Sequence, residues 1–246
     1  IHGAGDELYN NASEFYRAEN GQPIGYFWGY KTAGIFQNTQ EIDEWRAAGN
    51  GILQSNVQPG DVRFVDRNHD GQINDKDKVN LGNGTPDFTL GLNLGFVYKG
   101  FDFSIVANGA FGQQIVQSYR NHTRPTPNYT TAILDRWHGE GTSNRIPRVT
   151  DSNINYQFSD LFIQNGDYLR LSTLTLGYDF AKLFKGKAVS QARLYFQVQN
   201  LFIITGYDGM DPEIGFGSSN NSWVSGLDYG YYPRPRTVLV GVNLKF

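Results

Sequence analysis

The sequence predicts an all-β fold: an antiparallel transmembrane β-barrel segment of about six strands, with long loops on the extracellular side. Three observations predict it. Apolar residues recur at every second position over stretches of ten residues or more. The connections between those stretches are short at one end and long at the other. The 246 residues also hold 15% aromatics and 29 Gly, with only 18% charged residues. An average globular chain carries about 25% charged residues and about 7% Gly.

Each strand follows from its period. From Asp87 to Tyr98 every even position is apolar: Phe88, Leu90, Leu92, Leu94, Phe96, Tyr98. Strict alternation over such a length marks a strand with one apolar face. Lys99-Gly100 follows, and the phase flips to Phe101, Phe103, Ile105, Ala107, Gly109 and Phe111. A two-residue hairpin requires that flip, because its flanking residues pair directly and share a face. From Tyr168 to Phe180 the phase changes once. Leu169 and Leu171 precede Leu174, Leu176, Tyr178 and Phe180, so a bulge is expected near Ser172-Thr173. Leu194, Phe196, Val198, Phe202 and Ile204 form a fourth strand, with Asn200 as a polar intruder. Val238, Val240, Val242, Leu244 and Phe246 form the last. A sixth candidate is the Gly- and aromatic-rich stretch from about Ile24 to Phe36.

Strand length separates the classes. Soluble strands run about 5–6 residues, while barrel strands need about 9–11. Aromatics fall at strand ends, at Tyr98, Phe101, Phe111, Tyr168, Phe180, Tyr232 and Phe246, as interfacial girdles require. Lys99-Gly100 and Ala181 to Gln191 are short connections; residues 113–167, 205–235 and roughly 37–85 are long and polar. Alternation then assigns the polar set to the lumen: Asn93, Asp102, Asn108, Arg193, Gln197, Gln199 and Asn243. Six strands cannot close a barrel, since the smallest bacterial ones have about eight. The chain is therefore expected to be a C-terminal piece of a larger barrel, and its start at Ile1 reads as processing or fragmentation.

Composition excludes several functions. There is no Cys, so neither disulfides nor thiol chemistry operate. Net charge is −3, which leaves no basic footprint for nucleic acid. The longest strongly apolar runs, such as Leu201 to Ile204, hold about four residues against about 20 for a membrane helix. His2, His69, His122 and His138 are scattered over polar loops without metal-ligand spacing, and no nucleophile elbow, Walker or dinucleotide motif occurs. The expectation is no enzyme.

One loop carries chemistry. Asp66-Arg67-Asn68-His69-Asp70-Gly71-Gln72-Ile73-Asn74-Asp75-Lys76-Asp77 matches the calcium pattern D-x-[DN]-x-[DN]-G with an acidic closing position. Asp66, Asn68 and Asp70 would offer side-chain oxygens, Gln72 its carbonyl, and Asp77 the closing carboxylate. The ion would be structural. Asp77 is one methylene shorter than the usual Glu, and no helix pair flanks the loop. The alternative is a turn held by its own Asx hydrogen bonds. Among loop aromatics, Trp45, Trp137, Trp223, Tyr129, Tyr156, Tyr207, Tyr229 and Tyr231 either stack on ligands or pack the loops. Trp45 and Trp137 favour packing, each in a short helix. Asn38 with Glu41 forms a capping box and Gly49 a stop for the first; Gly139 stops the second.

Seven stretches, in order, resemble the SusC/RagA family of TonB-dependent outer-membrane transporters. They are PIGYFWGYKTAGIFQ (Pro23 to Gln37), QPGDVRFVDRNHDGQINDKD (Gln58 to Asp77), Gly84 to Gly112, LDRWHGEGTSNRIPR (Leu134 to Arg148), NGDYLRLSTLTLGYDF (Asn165 to Phe180), QNLFIITGYDGMDPEIG (Gln199 to Gly215) and YYPRPRTVLVGVNLKF (Tyr231 to Phe246). The resemblance implies a 22-stranded barrel with an N-terminal plug, and places residues 1–246 in the C-terminal part of the barrel domain, without plug or N-terminal strands. It implies import of oligosaccharide or peptide fragments across the outer membrane. The implied partners are a SusD-like surface lipoprotein, TonB through the absent N-terminal region, the remaining part of the same barrel, and outer-membrane lipid; no nucleic acid is expected. Phe246, in phase with Val240, Val242 and Leu244, resembles the signal read by the outer-membrane assembly machinery. The rival from another class is a soluble calcium-stabilised carbohydrate-binding β-domain.

Overall fold

The computed structural model describes residues 7–9, 15–117, 131–150, 153–181, 189–214 and 225–246. Tyr129, Trp223, His2 and His122 lie outside them, as do residues 182–188 of the Ala181–Gln191 connection. In chain order the first elements are β1 (Glu7–Tyr9), β2 (Tyr16–Glu19), β3 (Tyr26–Tyr30), β4 (Thr32–Ile35), α1 (Thr39–Ala47), β5 (Val62–Phe64) and β6 (Lys78–Gly82). Then come β7 (Phe88–Tyr98), β8 (Phe101–Phe111), β9 (Gln114–Gln117), β10 (Ile163–Asn165) and β11 (Tyr168–Asp179). The last are β12 (Gln191–Thr205), β13 (Leu227–Asp228) and β14 (Thr237–Lys245). They fall into two compact units.

One unit comprises Thr85–Gln113, Asn165–Ile214 and Tyr231–Phe246. It is a five-stranded antiparallel sheet in the order β14-β12-β11-β8-β7. Tyr98 pairs with Phe101 across the predicted two-residue turn, whose Lys99 and Gly100 both take positive φ, 49° and 92°. Such a turn carries the right-handed twist of the flanking strands. The expected phase change is also present: the register of β11 shifts between Leu171 and Thr173 against both neighbours. Ser172 is the extra residue against β8, and Asn200-Leu201 face it on β12.

The alternation sorts this sheet into two faces. Phe88, Leu90, Leu92, Leu94, Phe96, Phe101, Leu176, Leu194, Phe196, Phe202, Ile204, Val238, Val240, Val242 and Leu244 are all exposed. Phe96 is 58% and Val240 70% accessible. A soluble sandwich buries such a face against a second sheet, whereas here it is exposed. Eleven-residue strands extend about 35 Å, and at barrel tilt they cover the roughly 25 Å apolar band of an outer membrane. Aromatic pairs mark both ends of the band. Phe101 packs on Tyr178 at 4.4 Å and Tyr178 on Phe180 at 4.6 Å at the turn end; Phe88 stacks on Phe111 at 4.8 Å at the other. Tyr168 departs from expectation. It is 8% exposed on the polar face, where the Asn108 amide donates to its hydroxyl at 3.5 Å. No helix among the described residues is long and apolar enough to cross a membrane; the strands have the length and facing that a crossing requires.

The other unit comprises residues 1–84, 114–164 and 215–230. Here the sixth expected strand is corrected. Residues 24–36 form β3 and β4, two short strands in separate sheets of this unit, β1-β2-β3-β6 and β4-β5. The stretch is buried at Tyr26, Phe27, Tyr30 and Ile35, so it has no lipid-facing period. Tyr16, Phe27, Val116 and Leu227 make one core, and Tyr30, Val62, Phe64 and Ile73 a second. Helix α1 begins where Asn38 accepts from Glu41 N at 2.9 Å. The reciprocal bond differs from a capping box: Glu41 Oε2 accepts from Gln37 N, not from Asn38. The helix expected before Gly139 is a short 3-10 turn, Thr131–Asp135, that ends before Trp137.

A buried carboxylate ties this unit together. Asp61 is fully buried and accepts from Arg148 Nε at 2.7 Å, Asn155 Nδ2 at 2.8 Å and Gln58 N at 2.9 Å. The stretches Gln58 to Asp77 and Leu134 to Arg148, far apart in sequence, meet there. A buried charge persists only when paired and hydrogen-bonded in this way.

Candidate functional site

The polar face of the five-stranded sheet is the candidate site. All seven expected lining residues, Asn93, Asp102, Asn108, Arg193, Gln197, Gln199 and Asn243, lie on the face opposite the apolar one, as the ladder registers require. At the turn end one row reads Val97, Asp102, Gly177, Tyr195, Gly241 across the five strands. Arg193 Nε and Nη2 donate to Asp102 Oδ2 and Oδ1 at 2.7 and 2.6 Å, a two-pronged pair. It spans β11 at Gly177, where a Cβ would stand 2.6 Å from Arg193 Nε. Tyr195 lies under the same guanidinium at 4.8 Å and over Gly241, where a Cβ would meet Tyr195 Cε1 at 2.5 Å.

The middle of the face carries no charge. Its rows read Gly95, Ser104, Thr175, Gln197, Leu239 and Asn93, Val106, Thr173, Gln199, Thr237. The Ser172 hydroxyl donates to Asn108 Oδ1 beside them. Charge returns at the loop end as a second cluster. Arg170, 4% exposed, donates to Asp211 Oδ1 at 2.6 Å and Glu213 Oε2 at 3.0 Å. Arg234 reaches Glu213 at 2.9 Å. Because Arg170 lies on the polar face, Asp211 and Glu213 fold back from the end of β12 onto that face. Sequence reasoning passed over Arg170, Asp211, Glu213 and Arg234. The available signal was an Arg at a polar-face phase of a strand whose other charged residue, Asp179, lies at its far end.

The face is thus a neutral hydrogen-bonding band between two charge clusters that neutralise themselves. It offers orientation and wetting.

The calcium-pattern residues lie in the other unit, between β5 and β6. Asp66 and Asp77 are buried, while Asn68, Asp70 and Gln72 are exposed. Hydrogen bonds from Arg67 N and Asn74 N, both at 2.8 Å, hold the two oxygens of Asp77. The Asn68 amide holds the Asp70 carboxyl below its usual range. Trp45 donates to Gly51 O at 3.2 Å and Trp137 to Gln37 Oε1 at 3.2 Å, so both pack and bond within the loops. Phe246 follows β14 and is 84% exposed, in phase with the apolar set.

A sheet of long antiparallel strands, greasy and girdled outside and neutral-polar inside, defines a piece of an outer-membrane β-barrel wall. No family model matches the chain. It is 33% identical over 237 residues to TonB-dependent receptor P3 of Formosa agariphila, covering 92% of this chain and 22% of that protein. It is 32% identical over 197 residues to TonB-dependent receptor SusC of Bacteroides thetaiotaomicron, covering 79% and 18%. The RagAB peptide importer in its open-open state superposes with a TM-score of 0.70 at 21% identity, over all of this chain and 25% of that one. The chain belongs to the SusC/RagA family of TonB-dependent receptors, which are outer-membrane proteins and not enzymes. It spans about a quarter or less of the length of these relatives.

Proposed function

We propose that the chain supplies barrel wall and loops to an importer that draws nutrient oligomers, glycans or oligopeptides, across the outer membrane with energy relayed by TonB. The observation that carries this reading is the two-faced sheet, lipid-compatible outside and neutral and hydrogen-bonding inside. Asn93, Asp102, Asn108, Arg193, Gln197, Gln199 and Asn243 serve as lining. The names of the relatives, SusC and a RagAB peptide importer, support the reading. Its partners are a SusD-like surface lipoprotein over the mouth, TonB acting on the N-terminal region, the remaining strands of the barrel, and outer-membrane lipid. Phe246 acts as the assembly signal, because it is exposed and in phase with the apolar residues of β14.

The test uses the full-length receptor in cells that also make its lipoprotein partner. Labelled oligosaccharides and labelled oligopeptides are offered with and without TonB. Uptake of one class that disappears when TonB is removed is expected. Uptake of neither class, or uptake indifferent to the receptor, overturns the proposal. Deleting Phe246 is expected to lower the amount of folded receptor in the membrane; an undiminished amount removes the signal assignment.

A further inference from the structure

We propose that residues 66–77 bind one calcium ion, which clamps the end of β5 to the start of β6. The inference is independent of what the barrel transports. It starts from Asp66, which is 1% exposed. Its Oδ2 accepts from Gly71 N at 2.8 Å and Gly51 N at 3.1 Å, which turns the carboxylate onto the loop. Its Oδ1 is buried and has no hydrogen-bond partner among the described residues. A buried charged oxygen left without a partner is costly. Among the described residues no Lys or Arg forms an ion pair with Asp66; Lys78, beside the closing Asp77, pairs with Asp75 at 2.7 Å. The orphan oxygen calls for a cation that is not part of the chain.

The rest of the loop supplies oxygens. His69 and Gly71 take positive φ, 56° and 79°, and curl the chain around its own interior. Asn68 Oδ1 accepts from Asp70 N at 3.1 Å and Asp70 Oδ1 from Gln72 N at 2.9 Å, so both side chains turn back onto the loop. Asp77, fully buried, closes the far end ten residues from Arg67, whose N–H it holds. The donors are Asp66, Asn68, Asp70, the Gln72 carbonyl and Asp77, hard oxygens throughout, which calcium takes in sets of about six to eight. There is no thiol or imidazole among them, which disfavours zinc. Among the described residues Asp66, Asp70 and Asp77 do not already converge on one point, so binding draws the exposed Asp70 toward the buried pair. The negative field reaches Tyr30, whose hydroxyl is pushed up to about 12 by burial first and then by Asp75 and Asp77.

The test is hydrogen exchange of the full-length receptor in detergent, read on peptides covering residues 62–82. At calcium about ten times the dissociation constant, linkage slows opening about tenfold relative to chelator. Magnesium at the same concentration is expected to do much less, because it demands a tighter octahedron and sheds water reluctantly. Asp70→Ser changes an exposed side chain and leaves the buried Asp66 and Asp77 in place. It is expected to keep the loop folded and lose the calcium response. Equal exchange with calcium and chelator, an equal magnesium effect, or a full calcium response in Asp70→Ser each overturns the proposal.

Discussion

Arg193 and Asp102 meet across a strand that separates them. Arg193 sits on β12 and Asp102 on β8, and the two-pronged pair between them crosses β11 at Gly177. Both side chains are only about a quarter exposed, at 21% and 28%. A charge-assisted, bidentate pair so placed contributes about 1–3 kcal/mol. Arg193→Gln and Asp102→Asn are each expected to lower the urea midpoint of the full-length receptor in lipid. The double substitution should cost less than the sum, since it leaves no charge unpaired. Strictly additive losses would show that the pair has no joint energy.

Gly177 is the counterpart of that pair. Any side chain there would have to displace both partners of the pair, since a Cβ would run into Asp102 Oδ2 and stand 2.6 Å from Arg193 Nε. Gly177→Val should therefore reproduce the Arg193→Gln loss. Added to the double variant Arg193→Ala, Asp102→Ala it should cost little more, because both side chains it invades are gone. A large further loss in the combined variant would place the strain in the backbone instead.

Arg170 anchors the returning loop. It is buried between Asp211 and Glu213, and removing one partner of a buried ion pair costs about 3–5 kcal/mol. Arg170→Gln is expected to free residues 206–214 while the strands stay paired. Exchange at those residues should accelerate about a hundredfold, the equivalent of about 3 kcal/mol. Arg170→Lys should rescue little, since one ammonium cannot satisfy two carboxylates as a planar fork does. Unchanged exchange in Arg170→Gln would show that the loop is held elsewhere.

The sheet was legible because a one-faced strand writes its geometry at period two. Phe88 to Tyr98, the phase flip at Lys99-Gly100 and the break at Ser172-Thr173 all recur in the register. The loop unit was not legible, because its order comes from distant partners. Nothing local links Asp61 to Arg148 or Arg170 to Asp211. The stretch 24–36 misled for a related reason. Its aromatics are buried on both sides of short strands, and composition alone resembles a girdle. Tyr168 shows the limit of reading by strand ends: its phase, set by the bulge, turns it onto the polar face.

Tyr30 gives a pH prediction. Its hydroxyl ionises near 12 in the folded chain, against 10.0 when exposed. The unfolded chain therefore loses this proton first as pH rises. Stability conferred by neutral Tyr30 is complete below pH 10 and lost between pH 10 and 12. Tyrosinate absorbance should show one late-ionising group that Tyr30→Phe removes. A titration identical in both proteins would place the late group elsewhere.

Asn200 joins two sequence oddities into one feature. It interrupts the apolar period of β12, and it stands opposite Ser172, where β11 changes phase. Its φ is +51°, a left-handed conformation that Gly and Asn tolerate and β-branched residues do not. The Asn200 amide also donates to Pro235 O at 3.0 Å, holding the chain as it approaches β14. Conformation and hydrogen bond separate by substitution. Asn200→Gly keeps the conformation and loses an exposed bond, so it should cost under about 1 kcal/mol. Asn200→Val restores the apolar period but forces a β-branched residue to positive φ, and should cost about 2 kcal/mol. The more regular sequence is thus expected to give the less stable barrel. Equal urea midpoints for the two variants would mean that the bulge relaxes and that the polar intruder is dispensable.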